Sequence, residues 1–165
     1  MVTVGLRTVQ QMTMGKCIGK QDLQGLFMFL NASIIMTVTY SIFIIVIFTA
    51  FEYQIFYLFT NPGSSVITEL EAVWNVFYYF IIFDSLQMML SSLVSVSGKP
   101  GIGAIASWIA YPFLGFGCIY YNVVVRGVGL PGVWSGATFT VIVMTLVFAV
   151  YYFVEDWEKV SADAV

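Results

Sequence analysis

The stretch at 81–101, IIFDSLQMMLSSLVSVSGKPG, decides how the rest of the chain is read. Its first half sets one carboxylate, Asp84, among aliphatic, aromatic and small polar side chains, and its end carries the turn signal Gly98-Lys99-Pro100. Read as a helix, it places Asp84, Gln87, Ser91, Ser95 and Gly98 on one face, a stripe of polar and small residues running from its middle to its end. An ionised aspartate near the centre of a bilayer costs roughly 2.5–3.5 kcal/mol on insertion scales. Such a stripe has to face protein or a water-filled cavity.

Composition puts this helix in a membrane. The 165 residues are 60% hydrophobic and only 9% charged, against about 45–50% apolar residues in soluble domains. The net charge of −3 includes no basic block, so no phosphate-tracking surface for nucleic acid is on offer. The lack of histidine, with Cys17 and Cys118 single and far apart, argues against a zinc cluster, a CxxC pair and a disulfide framework. No nucleophile–base pair can be assembled, which argues against an enzyme, and nothing asks for a cofactor. What remains is the handling of protons and cations by carboxylates.

Four apolar runs, near 26–49, 70–94, 101–125 and 133–154, reach the roughly 20 helical residues that cross a hydrocarbon core. The predicted fold is an all-α membrane protein of four transmembrane helices in one domain. The runs are separated by turn signals: Asn61-Pro62-Gly63, Gly98-Lys99-Pro100, and the glycine-rich RGVGLPG at 126–132. The first connection is rich in aromatic residues (Phe51, Tyr53, Phe56, Tyr57, Phe59), as suits a segment lying at the headgroups. Residues 1–25 read as the cytoplasmic end of a preceding helix and a loop, because Gln10, Gln11 and Lys16 interrupt any signal-peptide core. EDWEKVSADAV, 155–165, reads as an acidic cytoplasmic tail. Arg7, Lys16, Lys20, Lys99 and Lys159 fall on one side of the spans and Arg126 on the other, which predicts that both termini are cytoplasmic.

The third run has its own stripe, Ala104, Ser107, Tyr111, Gly115, Cys118 and Asn122, fit for close approach to the stripe of Asp84. Pro112 removes a backbone hydrogen bond inside this run, so a kink is expected beside the Asp84 helix. The site expected from these patterns has Asp84 as the proton- or cation-coupling group, with Gln87, Ser91, Ser107 and Tyr111 lining a cavity. Each also has a plainer reading. Asp84 can be a hydrogen-bonded carboxylate that fixes packing, the serines can serve helix contacts, and Tyr111 can be packing.

Several of these segments carry a resemblance. FTNPGSSV at 59–66, DSLQMMLSSLVSVSGKPGIGAI at 84–105 and GLPGVWSG at 129–136 resemble the C-terminal third of the multidrug and toxic compound extrusion (MATE) family, in its eukaryotic branch. MGKCIGKQD at 14–22 is similar to the segment that follows the family's eighth helix, so the likeness runs from about Thr8 to about Trp157. The chain departs from the family's pattern at Ser95 and Val96, where Arg and Gly are usual, and at Gly115-Phe116-Gly117, where Gly-x-Pro is usual.

The resemblance implies that the four spans are helices nine to twelve of a two-bundle antiporter expelling organic cations in exchange for protons or sodium. It places Asp84 where eukaryotic members carry an acidic residue in the tenth helix. A carboxylate taken out of water favours its protonated form and yields the proton when water or a cation arrives, which is the chemistry an exchanger needs. The family has about twelve spans, so the reading is of a fragment: a truncated gene model or a remnant that needs an N-terminal bundle. Two alternatives stay open, a small four-helix exporter that pairs with a second copy, and a noncatalytic subunit of a larger membrane complex. Either way the expected surroundings are a plasma or internal membrane.

Overall fold

The computed structural model describes residues 2–61 and 64–163 and is helical throughout. Pro62 and Gly63 of the expected first turn lie outside the described residues. Helix α1 (Val2–Gly19) leads through a short turn into α2 (Leu23–Ala50), whose first turn is capped by Asp22 Oδ1 accepting from Gly25 N at 2.8 Å. A short helix α3 (Glu52–Phe59) follows, then α4 (Ser65–Val96). The next span, Pro100–Val125, is composite: α5 (Pro100–Ile109), a π-helical turn at Ala110–Gly115, α6 (Phe116–Tyr120) and a second π-helical turn at Tyr121–Val125. The chain closes with α7 (Leu130–Val154) and α8 (Trp157–Ala162).

Among the described residues, four helices are long and apolar enough to cross a membrane: Leu23–Ala50, Ser65–Val96, Pro100–Val125 and Leu130–Val154. Each begins or ends a few residues beyond the run read from hydropathy, because capping residues continue a helix past its apolar core. The eight residues of α3 are too few to span, and its Phe56 is buried against Trp74 with ring centroids 4.8 Å apart.

At the centre stands the α4–α7 pair. Three bonds tie it at successive depths: Thr145 Oγ1 donates to the Phe83 carbonyl at 3.1 Å, the Ser97 and Tyr151 hydroxyls lie 2.6 Å apart, and Lys99 Nζ donates to Glu155 Oε1. Around this pair pack α1 and α2 on one side and the composite third span on the other. The core comprises Met14 and Ile18 of α1, Leu26 and Leu30 of α2, Leu90, Leu93 and Val94 of α4, and Met144 and Phe148 of α7.

Two segments depart from expectation. The N-terminal region, read as a helix end and a loop, is mostly helix and lies inside the bundle, with Gln10, Met14 and Ile18 buried. The acidic tail does not trail free: α8 folds back so that Trp157, Val160 and Ser161 are buried, and Ser161 Oγ donates to the Ile18 carbonyl at 3.1 Å. Hydrophobic Trp157 and Val160, spaced three apart, give α8 the face that drives this docking.

Candidate functional site

Asp84 sits midway along α4, half-buried. It lies on the wall between two cavities. One, of about 270 Å³, lies between α4, the third span and α7, and is lined by Phe80, Tyr111, Phe116, Thr140 and other small or apolar side chains. The other, of about 370 Å³, lies towards α1 and α2 and is lined by Thr3, Tyr40, Phe48, Phe77 and Ser85 among others. No ion pair among the described residues involves Asp84. A carboxylate without an internal cation, set against aromatic faces, has the chemistry to meet a proton or a cationic group.

Gln87, one turn further along α4, is buried, and its amide lies 3.1–3.2 Å from the Tyr111 hydroxyl, which can accept from Nε2 or donate to Oε1. Gln87, Ser91, Ser95, Ala104, Ser107 and Tyr111 share a third cavity of about 420 Å³. The two stripes read from the sequence therefore do meet, but across a cavity and only in part. Ser91 and Ser95 donate to the carbonyls of Met88 and Ser91 in their own helix, at 2.8 and 3.2 Å, so these hydroxyls serve local packing and present lone pairs to the cavity. Of the expected site residues, Tyr111 alone lines both this cavity and that of Asp84.

Beyond Tyr111 the third-span stripe turns towards α7, with Gly115 still lining the cavity of Asp84. Gly115 and Asn122 face α7, where Asn122 Nδ2 donates to Ser135 Oγ at 3.1 Å and Gly115 packs against Thr140. The cause is the π-helical turn at Ala110–Gly115, which accommodates Pro112 by skipping the bond its missing N–H cannot make. A π-helical turn changes the angular register, so residues after Gly115 leave the face that Ser107 occupies. The proline that the sequence marks as a kink acts as a phase shift in the stripe. Close approach to α7 depends on Gly136: a Cβ there would stand 2.6 Å from Ile119 Cγ1 and 2.9 Å from the Ile119 backbone nitrogen. Gly132 and Gly136 thus let α7 approach the third span within the chain.

Residues the sequence reading passed over include Thr3, Tyr40, Phe80 and Phe116, which complete the cavities of Asp84. Their signal existed in part: Phe80 lies four residues before Asp84, on the same helix face. Arg7, counted from the sequence as a flanking charge, is instead beside Met88, with Nη1 at 3.8 Å from Met88 Sδ. Met88 is eight residues, about 12 Å, short of the end of α4 at Val96, so Arg7 lies alongside α4 rather than beyond its end. The side with more lysine is still that of Lys16, Lys20, Lys99 and Lys159, against Arg126. Among the described residues no group of three or more His, Cys, Asp or Glu side chains comes together that could hold a metal ion.

Fold and site together define a multi-pass helical membrane protein with a carboxylate set inside its bundle. The chain belongs to the MatE family, whose sequence pattern matches residues 1–121. It is 25% identical over 108 residues to multidrug and toxin extrusion protein 1 of Danio rerio, covering 66% of this chain and 18% of that protein. The protein of the same name from Homo sapiens is 21% identical over 164 residues, 99% of this chain and 29% of the relative. The crystal structure of the eukaryotic MATE transporter AtDTX14 shares the fold, with a TM-score of 0.88 and 20% identity over 99% of this chain and 36% of that one. The chain spans less than a third of the length of these two curated relatives.

Proposed function

We propose that this chain forms the helices nine to twelve of a MATE-type antiporter that moves organic cations against protons or sodium, with Asp84 as the group that exchanges them. The observation that carries the reading is the placement of Asp84 on the wall between two cavities rich in aromatic side chains, inside the bundle. Aromatic faces attract a desolvated organic cation, and the carboxylate supplies the opposite charge. Proton and cation then compete for one side chain, which is the minimum an exchanger requires. Gln87 and Tyr111 position the rim of this site, and Ser91 and Ser107 line the adjoining cavity. The third span is mostly exposed in this chain, which suits a further bundle, or a second copy, closing the cavity from that side. Both termini face the cytoplasm in this reading.

Efflux tests it directly. Uptake of a fluorescent organic cation into vesicles under an imposed pH gradient is measured for the longest open reading frame that holds this chain, and for Asp84→Asn and Asp84→Glu. Asp84→Asn keeps the size and hydrogen-bonding capacity of the side chain and removes its charge, so insertion is retained and proton-driven transport is lost. Asp84→Glu retains part of the activity. Transport unchanged in Asp84→Asn would return Asp84 to a packing role.

A further inference from the structure

Arg7 is a half-buried charged side chain on the wall of a cavity, and the exchange chemistry of Asp84 does not use it. A guanidinium partly withdrawn from bulk water is best held by water or an acidic partner. It opens onto the cavity of about 420 Å³ between α1, α4 and α5, whose lining includes Gln87, Ser91, Ser95, Ser107 and Tyr111 and no carboxylate. Its recorded partner is Met88 Sδ at 3.8 Å, a weak acceptor, and the single ion pair among the described residues is that of Lys99 with Glu155. Arg7 therefore brings up to five N–H donors and a full positive charge to a cavity that supplies no counter-charge.

We propose that this cavity binds the carboxylate group of a small organic anion, anchored by Arg7 and flanked by the hydroxyls of Ser107 and Tyr111. The planar guanidinium matches a carboxylate through two parallel N–H···O bonds, which a lysine in its place cannot reproduce. The volume falls in the range of small-molecule sites. Ser91 and Ser95, whose hydroxyl hydrogens are already donated to their own helix, shape the wall without competing for the ligand. Asp84 does not line this cavity, and Met88 lies one turn, about 6 Å, beyond it along α4. A substrate bearing both an ammonium and a carboxylate group can thus engage two subsites of opposite sign. The anion site stands independently of the exchange role of Asp84.

The probes are 4-fluorobenzoate and 4-fluorobenzylammonium, a matched anion and cation, followed by fluorine NMR line broadening on the full 165-residue chain in lipid nanodiscs, with empty nanodiscs as blank. Wild type is expected to bind 4-fluorobenzoate saturably. In Arg7→Gln that affinity falls about tenfold or more, and in Arg7→Lys it is partly retained. Ser107→Leu, which fills the opposite wall and leaves Arg7 in place, also weakens 4-fluorobenzoate, and it serves as the deciding variant should Arg7→Gln not fold. Asp84→Asn leaves 4-fluorobenzoate binding unchanged, which separates this site from the exchange site. Absence of saturable binding to wild type, equal affinity in Arg7→Gln and wild type, or equal loss of both probes in Arg7→Gln overturns the proposal.

Discussion

Gln87 and Tyr111 show what a single polar pair does in a bundle of otherwise apolar side chains. Gln87 is buried at 6% exposure, so its amide depends on the Tyr111 hydroxyl 3.1–3.2 Å away. Tyr111→Phe leaves that amide without its partner, at a cost of about 1–2 kcal/mol. Replacing both, with Gln87→Met and Tyr111→Phe together, removes the unsatisfied group and recovers most of the loss. Thermal unfolding of the two single variants and the double variant checks this, and additive losses would mean that the pair is not coupled. The need for a partner at Asp84 and Gln87 was legible in the sequence, because a polar group at that depth cannot face lipid. The identity of the partner was not, since the third-span stripe offered Ser107, Tyr111 and Asn122, and the π-helical turn sends Asn122 to Ser135 while Ser107 and Tyr111 share the cavity of Gln87.

At the level of elements, α7 and the third span are held together by the absence of side chains. Gly136→Ala places a Cβ within 2.9 Å of backbone at Ile119, and backbone cannot yield as a side chain can. The expected loss is about 1–3 kcal/mol. Gly117→Ala, where nothing stands within 4 Å of the added atom, is expected to be neutral or slightly stabilising in the same unfolding assay. Equal effects at the two positions would argue against close α7 packing.

The clasp at the other end of α7 gives a pH dependence. Lys99 donates to Glu155 and holds its carboxyl below the usual value, while Glu155 raises the Lys99 ammonium above its own. The Glu155 contribution is present above the ordinary carboxylate range and lost as pH falls through its depressed value. That of Lys99 is present below the ordinary lysine range and lost as pH rises through its elevated value. Glu155→Gln is therefore expected to flatten the acid limb of stability against pH, most visibly at low salt, because Lys99 is exposed. An unchanged acid limb in that variant would assign the dependence to other carboxylates.

For the whole molecule, the lysine asymmetry predicts that Asn61 lies on the side opposite both termini. With Cys17 and Cys118 replaced, Asn61→Cys is expected to react with an impermeant thiol reagent in intact cells where the protein resides in the plasma membrane, and Lys99→Cys is expected to be protected. The reverse pattern inverts the topology. Docking of α8 has its own test: Ser161→Leu, at a buried site whose hydroxyl donates to Ile18, is expected to release the segment to limited proteolysis after Lys159.

Amino-acid order alone determined that four segments are long and apolar enough to cross a membrane, that the chain turns at Gly98-Lys99-Pro100 and within 126–129, and that Asp84 turns towards protein, because each follows from local hydropathy, local turn chemistry and the price of a charge in hydrocarbon. Tertiary structure decided what each face meets. The dominance of the α4–α7 pair could not be read from hydropathy, since α7 buries Thr138, Thr140 and Thr145 alongside Val141, Met144 and Phe148, so no apolar face is set apart. The place of Arg7 beside Met88 could not be read either: it is fixed only when α1 is laid alongside α4, and that alignment is made by Met14 and Ile18 packing into a core assembled from distant helices.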